Sequence, residues 1–168
     1  AGHQELGNLV VLYDANQISI EDDVDIAFSE DVALRYESYG WHVQTVDFGE
    51  ADGYTEDVDA LLGAISSAKA ETARPSLIVM KTIIGWPSPT KQNTGKIHGS
   101  ALGADELKAL KTELGMDPDS TFVVPPHVLE HTRSLRERAQ LDRHTWDEKF
   151  DSWGLANPDK KALLDRLV

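Results

Sequence analysis

The apolar run Leu9-Val-Val-Leu-Tyr13, stopping at Asp14-Ala-Asn16, limits the possible folds more than any other stretch. Strands buried on both faces, as in parallel sheets, read as continuous apolar runs. Such sheets take ligands just beyond the carboxyl ends of their strands. Asn16 falls at that edge, and Ile18 and Ile20 follow at alternate positions. The Asn16 amide oxygen can ligate a hard cation, and backbone carbonyls of the following turn can add oxygen ligands. Asp and Asn are also ordinary turn formers, because they bond their own backbone. Spacing alone does not choose between these readings.

The rest of the chain continues the pattern. An acidic loop, Glu21-Asp-Asp-Val-Asp25, precedes a helix expected from a Ser29 cap to about Tyr39, with Gly40 ending it. A strand is expected over residues 41–47, a loop over 49–53 and a helix over 55–70. A third strand, apolar through its centre, is expected over 76–82. Strand–helix–strand–helix–strand implies an α/β fold with a parallel sheet, flanking helices and right-handed crossovers. Residues 83–103 show no regular pattern and hold Gly85, Pro87, Pro89, Gly95, Gly99 and Gly103. A loop this long is usually functional or disordered, and its place after a strand's carboxyl end favours function. The last third reads as helical: 105–114, then a longer helix from Pro125-Pro126 to about Trp153. Its aromatics, Trp146, Phe150 and Trp153, read as packing residues. The division expected is an α/β part over 1–115 and a helical extension over 116–168.

Composition narrows the function classes. A chain of 168 residues with 40% hydrophobic and 27% charged residues is long enough for a real core. No apolar run approaches the roughly 20 residues of a membrane helix, and no signal-peptide pattern opens the chain. The absence of cysteine excludes disulfides and thiolate chemistry and is compatible with a cytoplasmic protein. A net charge of −13 repels phosphate backbones and argues against nucleic acid as a partner. Any phosphorylated ligand would need a metal ion, histidines or backbone amides to offset that field. Ala1–Leu6 reads as the end of a helix capped at Gly7, and the last residues as an unfinished helix. Both ends therefore suggest a piece of a longer polypeptide.

Three clusters carry possible chemistry. His127-Val-Leu-Glu130-His131 fits an H-x-x-E-H zinc pattern. It stands one residue past a helix start with no further ligand at a persuasive spacing, so a solvated first turn is the better reading. The acidic loop lacks the alternation and closing Gly and Glu of a calcium-binding EF-hand. His98, in Lys96-Ile-His-Gly-Ser-Ala-Leu-Gly103, differs, because nearby glycines let backbone approach a ligand closely. A histidine there can bond a phosphate or hydroxyl oxygen, or move a proton near neutral pH.

The segment Tyr13-Asp-Ala-Asn16-Gln-Ile18-Ser-Ile20 resembles the strand and turn that close the thiamine diphosphate site of transketolases. Lys81-Thr-Ile-Ile84-Gly85-Trp86, followed by His98-Gly and Ala-Leu-Gly, resembles the family's cofactor loop in the same order. Asp31-Val-Ala-Leu-Arg-Tyr-Glu and Tyr39-Gly-Trp-His extend the likeness along the chain.

The resemblance implies part of a thiamine diphosphate-binding fold, followed by a helical linker. The parent would transfer a two-carbon ketol unit between phosphorylated ketoses and aldoses, as a cytoplasmic homodimer. Asn16 is then expected as side-chain ligand of the divalent cation, and Ile18 as ligand through its backbone carbonyl. Mg²⁺ is the expected ion, with Ca²⁺ also possible. Ile20 is expected against the bent cofactor, Ile84 and Gly85 on the loop covering its diphosphate, and His98 between cofactor phosphate and substrate as the catalytic residue. His3 is assigned no role.

Three features of the family pattern are missing from the chain. No Gly-Asp-Gly, source of the metal's aspartate, lies in residues 1–15. The glutamate that activates the cofactor belongs to a following domain of the partner subunit, and sugar-phosphate arginines are not identifiable. The chain alone is therefore expected to be inactive. The rival readings are a sibling such as dihydroxyacetone synthase, a non-catalytic assembly domain, and half of a split thiamine diphosphate enzyme. A nucleotide-binding module lacks both of its glycine motifs.

Overall fold

The computed structural model describes residues 1–49 and 53–167, in two units, Ala1–Asp119 and Ser120–Val168. The first unit is built on a parallel sheet of β1 (Val10–Asp14), β4 (His42–Asp47) and β5 (Ser76–Lys81) in the order β1-β5-β4. The most apolar strand lies in the middle, and Ser76, Leu77, Ile78 and Val79 on it are buried. A two-stranded hairpin of β2 (Ile18–Ser19) and β3 (Asp22–Asp23) lies between β1 and the first helix, α1 (Val32–Ser38).

The chain leaves β1, crosses by α1 to β4 at the far edge, and returns by α2 (Val58–Ala70) to β5 in the centre. Crossovers of one hand running in opposite directions place their helices on opposite faces. The packing shows this. Val32, Ala33 and Tyr36 of α1 pack with Leu77 and Val79, whereas Leu61, Ala64 and Ile65 of α2 pack with Ile78 and Met80. Successive β5 residues thus serve opposite layers, as strand pleating requires. Leu12 on β1 and Leu62 on α2 stay 45% and 55% exposed, so a three-stranded sheet leaves apolar surface uncovered.

Register decides where ligands can sit. Asp14 pairs with Met80, and Val46 pairs with the same Met80, so the three strands end level. The loops after β1, β4 and β5 therefore emerge together at one edge.

Several boundaries differ from the sequence expectation for local reasons. Asp31, not Ser29, caps α1, accepting a bond from the Leu34 N–H at 2.9 Å. Asp57 caps α2 in the same way through the Ala60 N–H at 2.8 Å. A carboxylate nearer the apolar stripe satisfies the free N–H groups. Ala1–Leu6 forms turns and no helix. Gly7 serves close approach instead, since a Cβ there would lie 1.9 Å from the Thr72 carbonyl oxygen. The acidic loop is partly ordered as β3, followed by a 3-10 turn over Val24–Ile26. The expected loop at 49–53 lies partly outside the described residues, as does the chain end at Val168.

Downstream, α3 (Ala104–Glu113) closes the first unit. The second unit holds α4 (Pro126–Ala156) and α5 (Pro158–Leu167). On α4, the Phe150 ring stacks against Trp146 at 4.8 Å and Trp153 at 5.6 Å. The Lys161 ammonium of α5 lies 5.2 Å from the same ring's centre. The aromatics pack against one another, and none of them is buried. His127 and His131 are exposed on the first turns of α4.

Candidate functional site

The level strand ends open into a cleft of about 1450 Å³ that contains Asn16, Ile18 and His98 in its lining. Asn16 is half-buried just past β1, where the Ala15 N–H donates to the Met80 carbonyl at 2.8 Å and prolongs the β1–β5 ladder by one residue. The Ile18 N–H donates to Asn16 Oδ1 at 3.0 Å, closing an Asx turn. Gln17 accommodates that turn at φ +62°. Asn16 Nδ2 donates to Asp14 Oδ2 at 3.3 Å. The Thr82 hydroxyl bonds the other Asp14 oxygen. A carboxamide oxygen has two acceptor sites. One holds the turn, which leaves one for a ligand.

The long loop enters the same cleft from β5. Ile83, Asn93 and His98 line it, whereas Ile84 and Gly85 are outside that lining. The Asn93 N–H donates to the Ile84 carbonyl at 2.9 Å. Gly85 has φ +70°, and a Cβ there would come within 2.0 Å of Ile97 Cδ1. His98 is exposed, at the end of a 3-10 turn over Gly95–Ile97. Gly95 joins the two loops. Its N–H bonds the Asp22 carboxylate, and a Cβ would meet the Asp22 nitrogen at 2.8 Å and the Ile20 oxygen at 2.9 Å. Ile20 lies at the hairpin tip, 74% exposed and outside the cleft lining.

A carboxylate on α3 fixes the loop's start. Glu106 accepts from the Thr90 N–H at 2.8 Å, from the Thr90 hydroxyl at 2.6 Å, and from the buried Ser88 hydroxyl. These donors, Ser88 first, hold its carboxyl at about 2. Behind the loop, the Tyr54 ring lies 5.0 Å from Trp86, and burial pushes the Tyr54 phenol above its ordinary value.

The cleft is acidic. Asp14, Asp25, Glu30, Asp31 and Asp47 line it, with Lys81 and His98 as basic groups. Lys81 Nζ reaches Asp47 Oδ2 at 2.8 Å, and this bond, with the Gly49 N–H, holds Asp47 below the usual carboxylate range. Among the described residues no group of three or more His, Cys, Asp or Glu is gathered to hold a metal. The residues present fit a hard cation in part, through the spare Asn16 acceptor site and backbone oxygens of the turn. Asp14 and Thr82 also line the cleft, although the sequence reading gave neither a role there. The signal was there, since Asp14 and Asn16 alternate across the last residues of a strand.

A family model described as "Transketolase, thiamine diphosphate binding domain" matches residues 1–168. The chain belongs to the transketolase family. It is 51% identical over 168 residues to a transketolase of Mycobacterium tuberculosis, covering 100% of this chain and 23% of that protein. Against a transketolase of Nostoc the identity is 45%, covering 100% and 24%. A crystal structure of the Pichia stipitis transketolase in complex with sedoheptulose 7-phosphate superposes with a TM-score of 0.86 at 39% identity, covering 99% of this chain and 24% of that one. The Leishmania mexicana transketolase gives 0.85 at 33% identity, covering 96% and 23%. The chain thus spans about a quarter of the length of these transketolases.

Proposed function

We propose that this chain supplies one wall of a transketolase's cofactor site, in an enzyme that moves a two-carbon ketol unit between phosphorylated ketoses and aldoses. The observation that carries this is the meeting of Asn16 and Ile18 with His98 in one cleft at the level ends of a parallel sheet. Asn16 holds a divalent cation through the acceptor site its turn leaves open, and Ile18 adds its carbonyl. Mg²⁺ suits an oxygen-only site, and Ca²⁺ is the alternative. The cation offsets the acidic lining where a diphosphate is to sit. Thiamine diphosphate, when bound, supplies the nucleophilic carbon of the reaction.

The remaining roles fall to backbone and loop. Ile84 and Gly85 form the covering stretch of the diphosphate loop, with Gly85 adopting a conformation few other residues tolerate. His98 bonds a cofactor phosphate oxygen and the ketol end of the substrate, and moves a proton there. Ile20 meets the cofactor's rings at the hairpin tip. Sugar phosphates are the substrates, the assembly is a cytoplasmic homodimer, and residues 116–168 lead toward the next domain. The Pichia stipitis relative carries sedoheptulose 7-phosphate, which supports this substrate class. No described helix is long and apolar enough to cross a membrane.

The chain by itself lacks the acidic ligand and the activating glutamate, so the isolated 168 residues should show no ketol transfer. The deciding experiment is Asn16→Ala in a full-length transketolase carrying this segment. Calorimetric titration with thiamine diphosphate at stepped Mg²⁺ should show a higher metal requirement, and an unchanged requirement would refute the ligand assignment.

A further inference from the structure

We infer that Asp14 is the positioning residue that aims the Asn16 carboxamide at the cation and ties it to the start of the diphosphate loop. The inference rests on the proposed role of Asn16 and goes beyond it. Asp14 ends β1, and each of its carboxylate oxygens has one partner. Oδ2 accepts from Asn16 Nδ2 at 3.3 Å, and Oδ1 accepts from the Thr82 hydroxyl. Thr82 is the first residue beyond β5, where the loop bearing Ile84, Gly85 and His98 begins. One side chain therefore joins two segments 68 residues apart.

An ionised carboxylate accepts hydrogen bonds and cannot donate them. It therefore binds the amide's NH₂ and turns the carboxamide oxygen the other way. On that side the oxygen meets the Ile18 N–H at 3.0 Å and keeps one acceptor site open to the cleft. Without Asp14, rotation of the amide by half a turn would present N–H groups to a cation and leave the Ile18 N–H without its acceptor. Partners that orient a metal ligand in this way typically change metal affinity by roughly 10- to 100-fold.

The charge of Asp14 is a competing explanation, and the two separate cleanly. Asp14→Asn removes the charge but keeps the geometry, since its oxygen accepts from Asn16 and its NH₂ donates to the Thr82 hydroxyl. Asp14→Ala removes both. The assay is thiamine diphosphate binding by calorimetry at stepped Mg²⁺, in a full-length transketolase carrying this segment. Asp14→Ala should raise the Mg²⁺ concentration for half-maximal binding on the order of 10-fold or more. Asp14→Asn should stay within about threefold of the parent, and Thr82→Val should fall between them.

Circular dichroism of the metal-free proteins checks that each variant folds, and Thr82→Val carries the test if Asp14→Ala does not. An Asp14→Ala variant with the parent's Mg²⁺ dependence overturns the inference. So does an Asp14→Asn variant as impaired as Asp14→Ala, because charge would then be the agent. Asn16→Ala in the same assay separates the levels. If it has no effect, the cation reading itself fails. If it acts while Asp14→Ala does not, only the positioning role fails.

Discussion

The loops after β1 and β5 leave the same sheet edge and are held by different means. The first, residues 15–21, is short and holds itself. Asn16 closes its own turn onto Ile18, Gln17 takes the left-handed conformation, and the Val24 N–H returns to the Gln17 carbonyl at 3.0 Å. The second, residues 82–103, folds on itself in short turns and is also anchored from outside. Glu106 on α3 grips it at Ser88 and Thr90, and Gly95 meets the hairpin at Asp22. A short loop can be specified by the residues within it. A long one costs more entropy to order and depends on outside anchors.

The largest effect should come from the floor the loops share. Ile78 is fully buried in β5 and packs against α2. Ile78→Ala should lower unfolding stability by about 2–5 kcal/mol. Urea unfolding with hydrogen exchange should show both loops losing protection together. Loss confined to one loop would mean that they do not share this floor.

A smaller and more local effect is expected where the loops touch. At Gly95 a methyl group would press on the Asp22 backbone nitrogen at 2.8 Å and the Ile20 carbonyl at 2.9 Å, besides the Asp22 carboxylate at 2.8 Å. Gly95→Ala should therefore cost about 1–3 kcal/mol, typical of overpacking. Faster exchange should appear in residues 18–23 and 95–98 and leave the β5 amides unchanged. Uniform exchange in the two loops, equal to the parent's, would show that the contact does not couple them.

This contrast also explains what was legible in the sequence. The sheet, its parallel sense and the helix on each side follow from apolar runs and periodicity, which are local signals. The turn at Asn16 was legible for the same reason. Helix caps were misplaced by about one turn or less, because Ser29 and Asp31 are both acceptable caps and only packing of Val32 and Tyr36 selects Asp31. The hairpin of β2 and β3 was missed, because two-residue strands leave no periodicity to detect. The grip of Glu106 was also invisible. It joins residues 16 to 18 positions apart through a loop with no pattern, and nothing marks that glutamate among the chain's acidic residues. The placing of His98 in the cleft followed from resemblance, since a lone histidine in an irregular loop has no spacing of its own to argue from.

Removing the outside anchor should affect one loop only. Glu106→Ala removes both carboxylate oxygens, and with them the acceptors of the Ser88 hydroxyl, the Thr90 N–H and the Thr90 hydroxyl. Limited proteolysis should cut within residues 86–103 sooner than in the parent, while residues 15–21 keep the parent's rate. Equal acceleration at both loops would show that the anchor serves the whole edge.

The smallest effect is proton-linked, and its direction follows from the same bonds. Glu106 is held at about 2, against an ordinary value of 4.5. A carboxyl depressed in the folded state contributes its full share above 4.5 and loses it as pH falls through the folded value. The grip on Ser88 and Thr90 should therefore persist at pH 4 and fade toward pH 2. Carbon-13 NMR of the Glu106 carboxyl should give a midpoint near 2, with the Thr90 amide shift following the same curve. The Ile18 amide, bonded to a carboxamide that does not titrate, should not follow it. If the Ile18 and Thr90 amides shifted on one curve, the two loops would share a proton-linked anchor, and the division between a self-closed turn and an externally pinned loop would not hold.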